Sequence, residues 1–478
     1  MSGELVAAAV DLGAGSGRVV VGRIGAGGSP TLELTETQRF DTPVRSVGGV
    51  LRWDLEAIWA AVGVGVRAAV VEHGARSIGI DSWAVDYGLL DAGGRMVADP
   101  ACYRDDRTNG ALDRIGARLD RSEHYRITGI AYQPFNTVYQ LMAEPDGLLD
   151  RDVRLLMLPD LLVQRLTGSV AAERTNASTT GLYDVRAGTW SNEIVDRLGL
   201  PAGLLPRVVD PGTVAGPVLP AVLREWSIPA GTEVDVVRVA SHDTASAVAA
   251  VPAEDERFGF VSCGTWSLVG LELDHPVTTD AARAANFTNE VGIDGTIRLL
   301  RNVTGLWLLT ECLREWGGER PADRDALLAE AAELPARRWS VDATSTQFLA
   351  PGGMPGRIRA AAGTRGREPR SRAEIVRCIL DSLAVAHADA VEDAVRLSGH
   401  PVEVVHVVGG GSANVLLAQA TADACALPVV AGPAEATAIG NLLVQARARG
   451  VLGSGAAGRA AARRLVAATS ELRRYEPG

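Results

Sequence analysis

Residues 234–248 read Val-Asp-Val-Val-Arg-Val-Ala-Ser-His-Asp-Thr-Ala-Ser-Ala-Val and lie at the middle of the chain. The β-branched first part predicts a buried strand, and the small residues after Thr244 predict a helix. In open α/β sheets, ligands bind at the carboxyl ends of the strands. Asp243 is therefore a candidate for chemistry, at the floor of a cleft between two halves of the chain. The same residues also suit a helix N-cap, and from this stretch alone that alternative stays open.

The length and composition of the chain predict a two-domain globular protein. Its 478 residues exceed what one hydrophobic core usually supports. With 47% hydrophobic and 22% charged residues, the composition is that of an ordinary soluble protein. The net charge of −11 argues against an electrostatic grip on nucleic acid or on anionic lipid, so an anionic ligand needs local hydrogen-bond donors.

The first residues and the cysteines predict a cytoplasmic protein. The start, Met-Ser-Gly-Glu-Leu, has no basic region, and Asp11 interrupts the apolar run that follows, so no secretory signal is expected. No apolar run is long enough to cross a bilayer. The cysteines form no Cys-x-x-Cys pair and their odd number cannot pair completely, so we expect reduced thiols. They are Cys102, Cys263, Cys312, Cys378 and Cys425.

Lysine is absent from the sequence. Genome composition is enough to cause this absence, but it still excludes several kinds of chemistry. A Walker loop needs its lysine at the phosphates, protein kinases need a strand lysine, and Schiff-base enzymes need an amine. If the protein uses ATP, it must hold the phosphates in another way.

Residues 11–18 form a glycine-rich segment, Asp-Leu-Gly-Ala-Gly-Ser-Gly-Arg, between two β-branched or apolar runs. A dinucleotide fingerprint would open a helix, whereas residues 19–24 have no helical period, so we predict a hairpin. Successive backbone N–H groups in its turn would form an anion-binding concavity, and Asp11 could hold Mg²⁺ through water. A plain glycine-rich hairpin is an equally good interpretation.

Residues 77–81 are predicted to form a buried strand that ends in Asp-Ser-Trp-Ala-Val-Asp-Tyr. Aromatic rings cover the apolar faces of a sugar and carboxylates accept its hydroxyls, so this segment suits a sugar site. The same sequence would also result from surface aspartates beside a tryptophan of the hydrophobic core. Residues 103–108, Tyr-Arg-Asp-Asp-Arg-Thr, are interpreted as a salt-linked helix start or as a further wall of such a site.

A second strand–turn–strand unit is predicted from residue 258 to residue 273, with Cys-Gly-Thr-Trp-Ser as its turn. Two such units in two halves suggest a duplicated architecture that faces one ligand. Asn302 is placed near a strand end, where it could bond a hydroxyl. Residues 409–411 are three glycines at a helix start, which allow close approach of a flat or phosphorylated ligand.

The remaining elements follow from periodicity and caps. We predict strands over residues 31–39 and 402–408, helices over residues 54–71, 155–166, 378–397 and 415–425, a loop or caps over residues 175–180, and a connector over residues 201–220.

Six motifs appear in one order along nearly the whole chain. They are Asp-Leu-Gly-x-x-Ser-Gly-Arg, Gly-Ile-Asp-Ser-Trp-Ala-Val-Asp-Tyr, Tyr-Arg-Asp-x-Arg-Thr, Ala-Ser-His-Asp-Thr-Ala-Ser-Ala-Val, Ser-x-Gly-Thr-Trp-Ser-Leu and Val-Gly-Gly-Gly-x-x-Asn. Together they resemble the FGGY carbohydrate-kinase family of the actin-like superfamily. The resemblance implies an α/β fold of two actin-like (ribonuclease H-like) domains with a catalytic cleft between them. Residues 1–247 would bind the sugar and part of the phosphates, and residues 248–478 the nucleotide.

The resemblance also implies a role for individual residues. Asp243 is the implied catalytic base, and Asp11 the implied metal ligand through water. The implied sugar-binding residues are Trp83, Ala84, His242, Asp243, Thr244 and Asn302. The implied ATP-binding residues are Ala14, Gly15, Ser16, Gly17, Arg18, Thr265, Thr310, Gly410 and Gly411.

Three positions depart from the family pattern. Ala84 replaces a glycine that the family usually has, which would narrow the sugar pocket. Gly15 stands where serine is common. Thr310 occupies a position where glutamine is expected to touch the nucleotide, which puts that contact in doubt.

The resemblance implies transfer of a phosphoryl group from ATP to O1 of L-rhamnulose, which gives L-rhamnulose 1-phosphate and ADP. The cofactors expected are ATP and Mg²⁺, and the expected assembly is a monomer or small homo-oligomer. An Asp with an ordinary pKa of about 3.9 would be ionised and ready as a base. Two alternatives stay open: a kinase for another ketose or polyol, such as fuculose or xylulose, and a non-catalytic, nucleotide-dependent interaction protein of the actin-like superfamily.

Overall fold

The computed structural model describes residues 4–25, 31–318, 320–364 and 366–478. Residues 1–3, part of the start in which no secretory signal is expected, lie outside the described residues. The chain divides into two compact units. The first unit consists of Met1–Ala250, Leu273–Arg298 and Ala436–Thr469, and the second of Val251–Glu272, Leu299–Glu435 and Ser470–Gly478.

The strands, numbered in chain order, are β1 (Glu4–Leu12), β2 (Ser16–Gly25), β3 (Thr31–Asp41), β4 (Val44–Val47), β5 (Val50–Trp53), β6 (Ser77–Ser82), β7 (Tyr87–Leu90), β8 (Arg154–Met157), β9 (Ala172–Glu173), β10 (Tyr183–Asp184), β11 (Thr189–Trp190), β12 (Val208–Val209), β13 (Thr213–Pro217), β14 (Asp235–Arg238), β15 (Phe258–Cys263), β16 (Ser267–Leu273), β17 (Thr288–Val291), β18 (Ile297–Val303), β19 (Val404–Val408), β20 (Val429–Ala431) and β21 (Arg473–Tyr475).

The α-helices are α1 (Leu55–Val71), α2 (Ala111–Gly116), α3 (Arg121–Thr128), α4 (Thr137–Leu141), α5 (Leu158–Thr167), α6 (Arg174–Ala177), α7 (Asn192–Leu198), α8 (Pro220–Glu225), α9 (Asp243–Ala249), α10 (Asp280–Ala284), α11 (Trp307–Trp316), α12 (Pro321–Ala332), α13 (Met354–Thr364), α14 (Arg372–Ser398), α15 (Val415–Cys425), α16 (Ala436–Ala448) and α17 (Gly455–Thr469). Short 3₁₀ turns span Asp106–Thr108, Ser178–Thr180, Ile293–Gly295, Thr346–Phe348 and Gly410–Ala413.

The first unit contains a six-stranded sheet in the order β13-β14-β6-β1-β2-β3. Strands β14, β6 and β1 run parallel, and β1 turns back into β2 as an antiparallel hairpin. The register pairs Asp11 with Asp81, and a bridge pairs Ser82 with His242. The carboxyl ends of three neighbouring strands therefore bring polar residues together at one end of the sheet.

Helix α16 covers β1 and β6 through a chain of buried polar contacts. Gln445 donates from Nε2 to the Ala8 carbonyl at 3.0 Å and to Asn441 Oδ1 at 2.7 Å, and its Oε1 accepts from Ser77 Oγ at 2.6 Å. Asn441 in turn donates from Nδ2 to Asp81 Oδ2 at 2.6 Å. A helix from the last part of the sequence thus completes the packing of strands from its first part.

The second unit contains strands in the order β18-β16-β15-β19-β20-β21. Strands β15, β19 and β20 are parallel, and β15 and β16 form an antiparallel hairpin. Its longest helix, α14, starts with a capping box between Ser371 and Glu374 and ends at Gly399, which has the left-handed conformation of a C-cap.

Most sequence-based predictions of elements are confirmed, and three segments differ. Both hairpins form, and Asp54 caps α1 by accepting from the Ala57 N–H. Residues 155–157, predicted as helix, belong to strand β8, because a short apolar run fits a buried strand as well as a helix. The polar run 175–180, predicted as a loop or caps, forms α6 and a 3₁₀ turn.

The predicted connector over residues 201–220 contains the short strands β12 and β13, the second of which forms an edge of the sheet. Over the four described ranges, no helix is both long enough and apolar enough to span a membrane.

Candidate functional site

The junction between β14 and α9 carries the residues that the sequence singled out. His242 occupies the N-cap position of α9, and Asp243 is the first residue of the helix. The carboxylate of Asp243 accepts a hydrogen bond from Thr244 Oγ1 at 3.0 Å, and its side chain is 30% exposed. Asp243 is therefore not the N-cap residue, and part of its carboxylate remains open to a ligand.

The surroundings of Asp243 make its carboxyl a stronger base than an ordinary aspartate. Burial raises the pKa of Asp243; the His242 ring lowers it, and the negative charge of Asp11 raises it further, so the net change is upward. The sequence-based expectation of an ordinary pKa is corrected in this direction. A carboxylate with a raised pKa holds a proton more firmly once it has accepted one.

The backbone before Asp243 is fixed by a buried carboxylate, Glu173. Its Oε2 accepts from the Ser241 N–H at 3.0 Å and from Ser241 Oγ at 2.8 Å. Its Oε1 accepts from the Thr175 N–H at 2.9 Å, and Thr175 Oγ1 accepts from the His242 N–H at 3.2 Å. The polar run at the start of α6 thus positions the backbone of the candidate site.

The His242 side chain lies in a second buried cluster. Its Nδ1 is 3.1 Å from Glu290 Oε2 and 3.2 Å from Arg298 Nη2, and its Nε2 is 3.5 Å from Asp243 Oδ1. Arg298 Nη1 lies 3.1 Å from the same Glu290 oxygen. Burial alone would raise the pKa of Glu290, but the charge of Arg298 and the contact with His242 together lower it, so Glu290 is a charged partner of the ring.

The glycine-rich turn between β1 and β2 is held by local hydrogen bonds. The Gly13 N–H donates to the Ser16 carbonyl at 3.0 Å, and Thr42 Oγ1 donates to the Gly13 carbonyl at 3.0 Å. Arg104 Nη1 donates to the Ala14 carbonyl at 3.2 Å. Of the predicted phosphate residues, Gly15 and Ser16 are exposed at the tip of the turn, Ala14 and Arg18 are partly exposed, and Gly17 is buried.

Two carboxylates lie beside this turn in different environments. Arg18 donates from Nε and Nη2 to Asp11 Oδ2, at 2.9 Å and 2.7 Å. Asp81 is fully buried and receives the Asn441 amide on Oδ2, while its Oδ1 has no hydrogen-bond partner among the described residues. Burial and the nearby Asp11 raise the pKa of Asp81 well above its usual range.

The residues therefore allow a specific kind of Mg²⁺ binding. Across the part of the chain that the structure describes, no group of three or more His, Cys, Asp or Glu side chains is arranged to hold a metal ion. Mg²⁺ commonly keeps several waters and takes only one or two carboxylates together with substrate phosphates. A single carboxylate beside an exposed glycine turn, as Asp11 is, fits that mode.

The Trp83 segment is a buried hydrogen-bonded cluster and does not form an open wall of a sugar site. Trp83 and Trp53 donate from their indole nitrogens to Asp86 Oδ2, at 2.9 Å and 2.6 Å, and Gln140 Nε2 donates to Asp86 Oδ1 at 3.0 Å. The Asp86 carboxylate is thus occupied by protein donors, and both indoles are buried. In the structure, Trp83 is a buried core residue, which is the second of the two interpretations of this segment.

Ala84, next to this cluster, is partly exposed. The following residue, Val85, has φ of 70°, which is a strained conformation for a β-branched side chain. Its carbonyl accepts from Thr137 Oγ1 at 2.8 Å and from Gln140 Nε2 at 3.2 Å, and these bonds hold the strained backbone. The chain direction at Ala84 is thus imposed by buried polar groups.

Within the second unit, the turn of the β15–β16 hairpin and the triple glycine are neighbours. A Cβ atom at Gly411 would lie 2.2 Å from Cys263 Sγ, so only glycine fits there. A Cβ atom at Gly410 would meet nothing within 4 Å, and Gly410 is exposed, as is Thr265. The structure therefore brings Thr265, Gly410 and Gly411 to one region of this unit.

The other two predicted residues of the second unit lie on separate elements. Asn302 is partly exposed near the end of β18, and Thr310 is exposed on α11. The turn before α11 packs against the β15–β16 hairpin, since the Trp307 N–H donates to the Thr265 carbonyl at 3.1 Å. This bond links the helix that carries Thr310 to the turn that carries Thr265.

Two sequence models match the chain, one over residues 6–250 and one over residues 259–449. They describe the N-terminal and C-terminal domains of one family of carbohydrate kinases, the FGGY family. The chain belongs to the FGGY family. As a member of a carbohydrate-kinase family, this kinase uses ATP to phosphorylate a sugar or related substrate.

Curated relatives cover nearly the whole kinase. A protein named rhamnulokinase from Klebsiella pneumoniae subsp. pneumoniae is 42% identical over 443 residues, which are 91% of this chain and 88% of the relative. A protein of the same name from Pectobacterium carotovorum subsp. carotovorum is 41% identical over 477 residues, 98% of this chain and 92% of the relative.

Solved structures share the fold of the kinase at low sequence identity. Gluconate kinase from Lactobacillus acidophilus has a TM-score of 0.78 and 16% identity, and covers 100% of this chain and 94% of its own. Xylulose kinase from Rhodospirillum rubrum has a TM-score of 0.77 and 17% identity, with coverage of 100% and 94%. These likenesses confirm the predicted α/β fold of two actin-like domains.

Sequence reasoning missed several residues that the structure places around Asp243 in this kinase. They are Asp81, Glu173, Glu290, Arg298 and Asn441. Asp81 lay inside a quoted motif, and its position at the end of a strand next to Asp11 was a usable signal. The other four approach from segments distant in sequence, and no local pattern marked them.

Proposed function

We propose that this kinase transfers the γ-phosphoryl group of ATP to the O1 hydroxyl of L-rhamnulose, which gives L-rhamnulose 1-phosphate and ADP in L-rhamnose catabolism. The choice of sugar is supported by relatives named rhamnulokinase that are 41–42% identical over 91–98% of this chain. The structural observation that carries the chemistry is the Asp243 carboxylate, half-buried at a strand end and only partly hydrogen-bonded.

Asp243 acts as the base in this proposal. It accepts the proton of the O1 hydroxyl as that oxygen attacks the γ-phosphorus, and its raised pKa helps it to retain the proton. Phosphoryl transfer depends mainly on in-line positioning and on neutralisation of charge, so a fixed carboxylate contributes chiefly through its location. Glu173 and Thr175 supply that fixation through the backbone of residues 241 and 242.

The turn between β1 and β2 holds the phosphates. The turn is exposed at Gly15 and Ser16 and partly exposed at Ala14, and its backbone N–H groups are available to phosphate oxygens there, whereas Gly17 is buried; Arg18 adds a positive charge in the absence of lysine. Asp11 would hold Mg²⁺ through water. The ion, when bound, neutralises charge on the β- and γ-phosphates.

The sugar is held by residues around Asp243 and by the partly exposed Ala84. His242 and Thr244 flank the base, although both are largely buried and reach the sugar only with their tips. We propose Asn302 as a further partner of a sugar hydroxyl. Trp83 contributes to this region as a buried side chain under Ala84, because its indole N–H donates to the Asp86 carboxylate.

The nucleotide base and ribose are assigned to the second unit. Gly410 is exposed and carries no side chain at the start of the α15 segment, Gly411 beside it is buried against Cys263, and Thr265 lies on the neighbouring hairpin turn. Thr310 provides a hydroxyl where the family has glutamine. We propose that residues 1–247 serve the sugar and part of the phosphates and that residues 248–478 serve the nucleotide, with Asn302 as the exception that contacts the sugar.

A panel of ketoses with coupled detection of ADP tests the proposal. L-rhamnulose should give the highest kcat/KM, ahead of L-fuculose and D-xylulose, and ³¹P NMR of the product should show a phosphate on O1. Asp243→Asn is the matched control: kcat should fall by about 10² to 10⁴ while ATP still binds. Preference for another ketose would reassign the substrate, and full activity of Asp243→Asn would remove that residue from the chemistry.

We also propose that the kinase works in the cytoplasm as a monomer or small homo-oligomer. All five cysteines are free thiols, four of them buried, and burial raises the pKa of Cys263 to about 11, so these thiols are unreactive at neutral pH. Sedimentation of the purified protein measures the assembly directly.

A further inference from the structure

Arg104 is an exposed arginine at the edge of the glycine-rich turn between β1 and β2. Its Nη1 donates to the carbonyl of Ala14 in that turn at 3.2 Å. Because the chain contains no lysine, every side chain with a permanent positive charge is an arginine. The arginines around the turn therefore decide how the charge of a bound phosphate is balanced.

Three arginines belong to the two sequence motifs that meet at this turn, and two of them are paired with carboxylates. Arg18 donates from Nε and Nη2 to Asp11 Oδ2. Arg107 Nη1 lies 3.0 Å from Glu144 Oε1. Over the ranges that the structure describes, Arg104 forms no ion pair with a carboxylate. Among the three, Arg104 therefore has the charge that the protein itself leaves unbalanced.

The other polar neighbour of the Arg104 guanidinium is a neutral thiol. Arg104 interacts with the side chain of Cys102, and burial together with the charge of Asp86 raises the pKa of that thiol to about 12. Cys102 is therefore not ionised at neutral pH and does not neutralise the guanidinium. An anionic ligand would supply the missing negative charge.

The Arg104 side chain is held in place although it is exposed. The centre of its guanidinium lies 4.8 Å from the centroid of the Tyr103 ring and 5.9 Å from that of Trp53. This support is itself fixed, since Trp53 Nε1 donates to Asp86 Oδ2 at 2.6 Å and the Tyr103 N–H donates to the same oxygen at 3.3 Å. A mobile arginine loses rotamer entropy when it binds a ligand, and these contacts reduce that cost.

The position of Arg104 places its guanidinium beside the proposed phosphate donors. A guanidinium has five N–H donors, and one of those on Nη1 bonds the Ala14 carbonyl. Gly15 and Ser16, which follow Ala14, are exposed at the tip of the turn. A phosphate that binds their N–H groups therefore lies next to the Arg104 guanidinium.

The register of the sheet indicates which phosphate this is. Leu12, the last residue of β1, pairs with Ser82, and Ser82 in turn pairs with His242. The residue at the start of the turn and the residue before Asp243 are thus two strand spacings apart, which is about 10 Å. Because the phosphoryl group that reacts near Asp243 is the terminal one, the turn is next to the γ-phosphate.

We propose that Arg104 is a catalytic residue that contacts the γ-phosphate of ATP and stabilises the negative charge of the phosphoryl group during transfer. The inference rests on the proposed function, in which this turn holds the phosphates and Asp243 is the base. In the reaction, the O1–H bond breaks as its proton passes to Asp243. The O1–P bond forms while the bond from the γ-phosphorus to the β,γ-bridging oxygen breaks, and that electron pair leaves with ADP.

Arg104 neither gives nor takes a proton in these steps. Its contribution is a fixed positive charge next to the phosphoryl oxygens, beside Arg18, whose charge is shared with Asp11.

The kinetic test replaces Arg104 by an uncharged and by a charged side chain. Arg104→Gln should lower kcat by about 10²-fold and change the KM for the sugar less than twofold. Arg104→Lys keeps the charge but not the planar group, so it should recover about tenfold of that loss. A loss confined to the KM for the sugar would assign Arg104 to the sugar site and overturn the inference.

The matched control is an arginine with a similar ring contact elsewhere in the first unit. Arg121 is exposed at the start of α3, and the centre of its guanidinium lies 4.7 Å from the centroid of the Tyr132 ring. Arg121→Gln should leave kcat within about twofold. A loss of kcat in Arg121→Gln as large as in Arg104→Gln would attribute the effect to the ring contact and contradict the proposal.

A binding measurement without sugar separates this inference from the proposed function. With Mg²⁺ present, calorimetric titrations use β,γ-imido-ATP, which has a γ-phosphate and is not hydrolysed at that bond, and ADP, which has none. Arg104→Gln should weaken the binding of β,γ-imido-ATP about tenfold and that of ADP less than twofold.

Equal weakening of both nucleotides would show that Arg104 only maintains the turn through Ala14, and unchanged binding of both would exclude contact with the phosphates. Either result overturns the inference. The comparison stays valid even if no ketose is phosphorylated and the proposed function fails.

Discussion

Replacing Gly411 by alanine tests the geometry of the second unit most directly. The new Cβ would lie 2.2 Å from Cys263 Sγ and 2.7 Å from Cys263 Cβ, far inside van der Waals contact. Cys263 is buried at the end of β15, so it cannot turn away into solvent. Overpacking of this kind costs about 1–3 kcal/mol.

For a domain of about 150–250 residues, that cost lowers Tm by roughly 2–4 °C for each kcal/mol. We therefore expect Gly411→Ala to melt about 2–12 °C lower in a calorimetric scan. A glycine loop displaced by the clash should also bind ATP more weakly, and a loss of about 1.4 kcal/mol corresponds to a tenfold rise in KM. The KM for the sugar should not change.

Two neighbouring substitutions separate these effects. Gly410→Ala meets nothing within 4 Å, so it should leave Tm unchanged and raise only the KM for ATP, by filling space proposed for the nucleotide. Cys263→Gly in the Gly411→Ala background removes both clashing atoms and should restore part of the lost Tm. Gly356→Ala, on α13, also meets nothing and should alter neither quantity for the worse.

The contact between Gly411 and Cys263 is refuted if Gly411→Ala melts like the unsubstituted protein. If Gly411→Ala is destabilised but both glycine variants keep the original KM for ATP, the packing is right and the assignment of this loop to the nucleotide is wrong.

Three further substitutions test separate parts of the molecule. Burial lowers the pKa of His387 to about 4, so below about pH 6.5 the unfolded chain binds a proton that the folded chain does not, and stability is lost as pH falls. His387→Gln should therefore lose about 2 kcal/mol less than the unsubstituted protein between pH 7.5 and pH 5 in urea titrations, and equal losses would contradict the assignment. Trp83→Phe removes the bond to Asp86 and should cost about 1 kcal/mol by urea unfolding with little change in the KM for the sugar, whereas a large rise in that KM would show direct contact. Thr175→Val removes the acceptor of the His242 N–H and should lower kcat several-fold at a stability cost of about 1–3 kcal/mol; unchanged kinetics would exclude a positioning role.

The fold could be predicted from sequence where the signal is local. The β1–β2 hairpin follows from glycines between β-branched runs, and α1 follows from Asp54 before a helical apolar period. The sequence predicts a helix over residues 155–157, where the structure has a strand, because an apolar run of that length has no periodicity that separates a helix from a strand. Strand pairing with β7 decides it, and that pairing is not local.

The candidate site was predictable only in part, for the same reason. Asp243 stood out because a polar group interrupts a buried strand. Its supports did not: Glu173 reaches Ser241 across 68 positions of the chain, and Glu290 and Arg298 reach His242 across about 50. Trp83 illustrates the opposite case, in which a pattern stands out without marking a ligand contact. Its segment has a composition that suits a sugar site, but its indole is buried and hydrogen-bonded to Asp86.

The contact of α16 with β1 and β6 has a consequence for how this protein can be made. The first unit is discontinuous, and Asn441 and Gln445 satisfy polar groups on strands that leave the ribosome some 360 to 440 residues earlier. During synthesis, the face of β1 and β6 that packs against α16 therefore stays exposed until almost the entire polypeptide has left the ribosome. A gene fragment that stops at residue 250 would therefore yield an aggregation-prone product, whereas co-expression with a separate piece that carries α16 offers a route to rescue it.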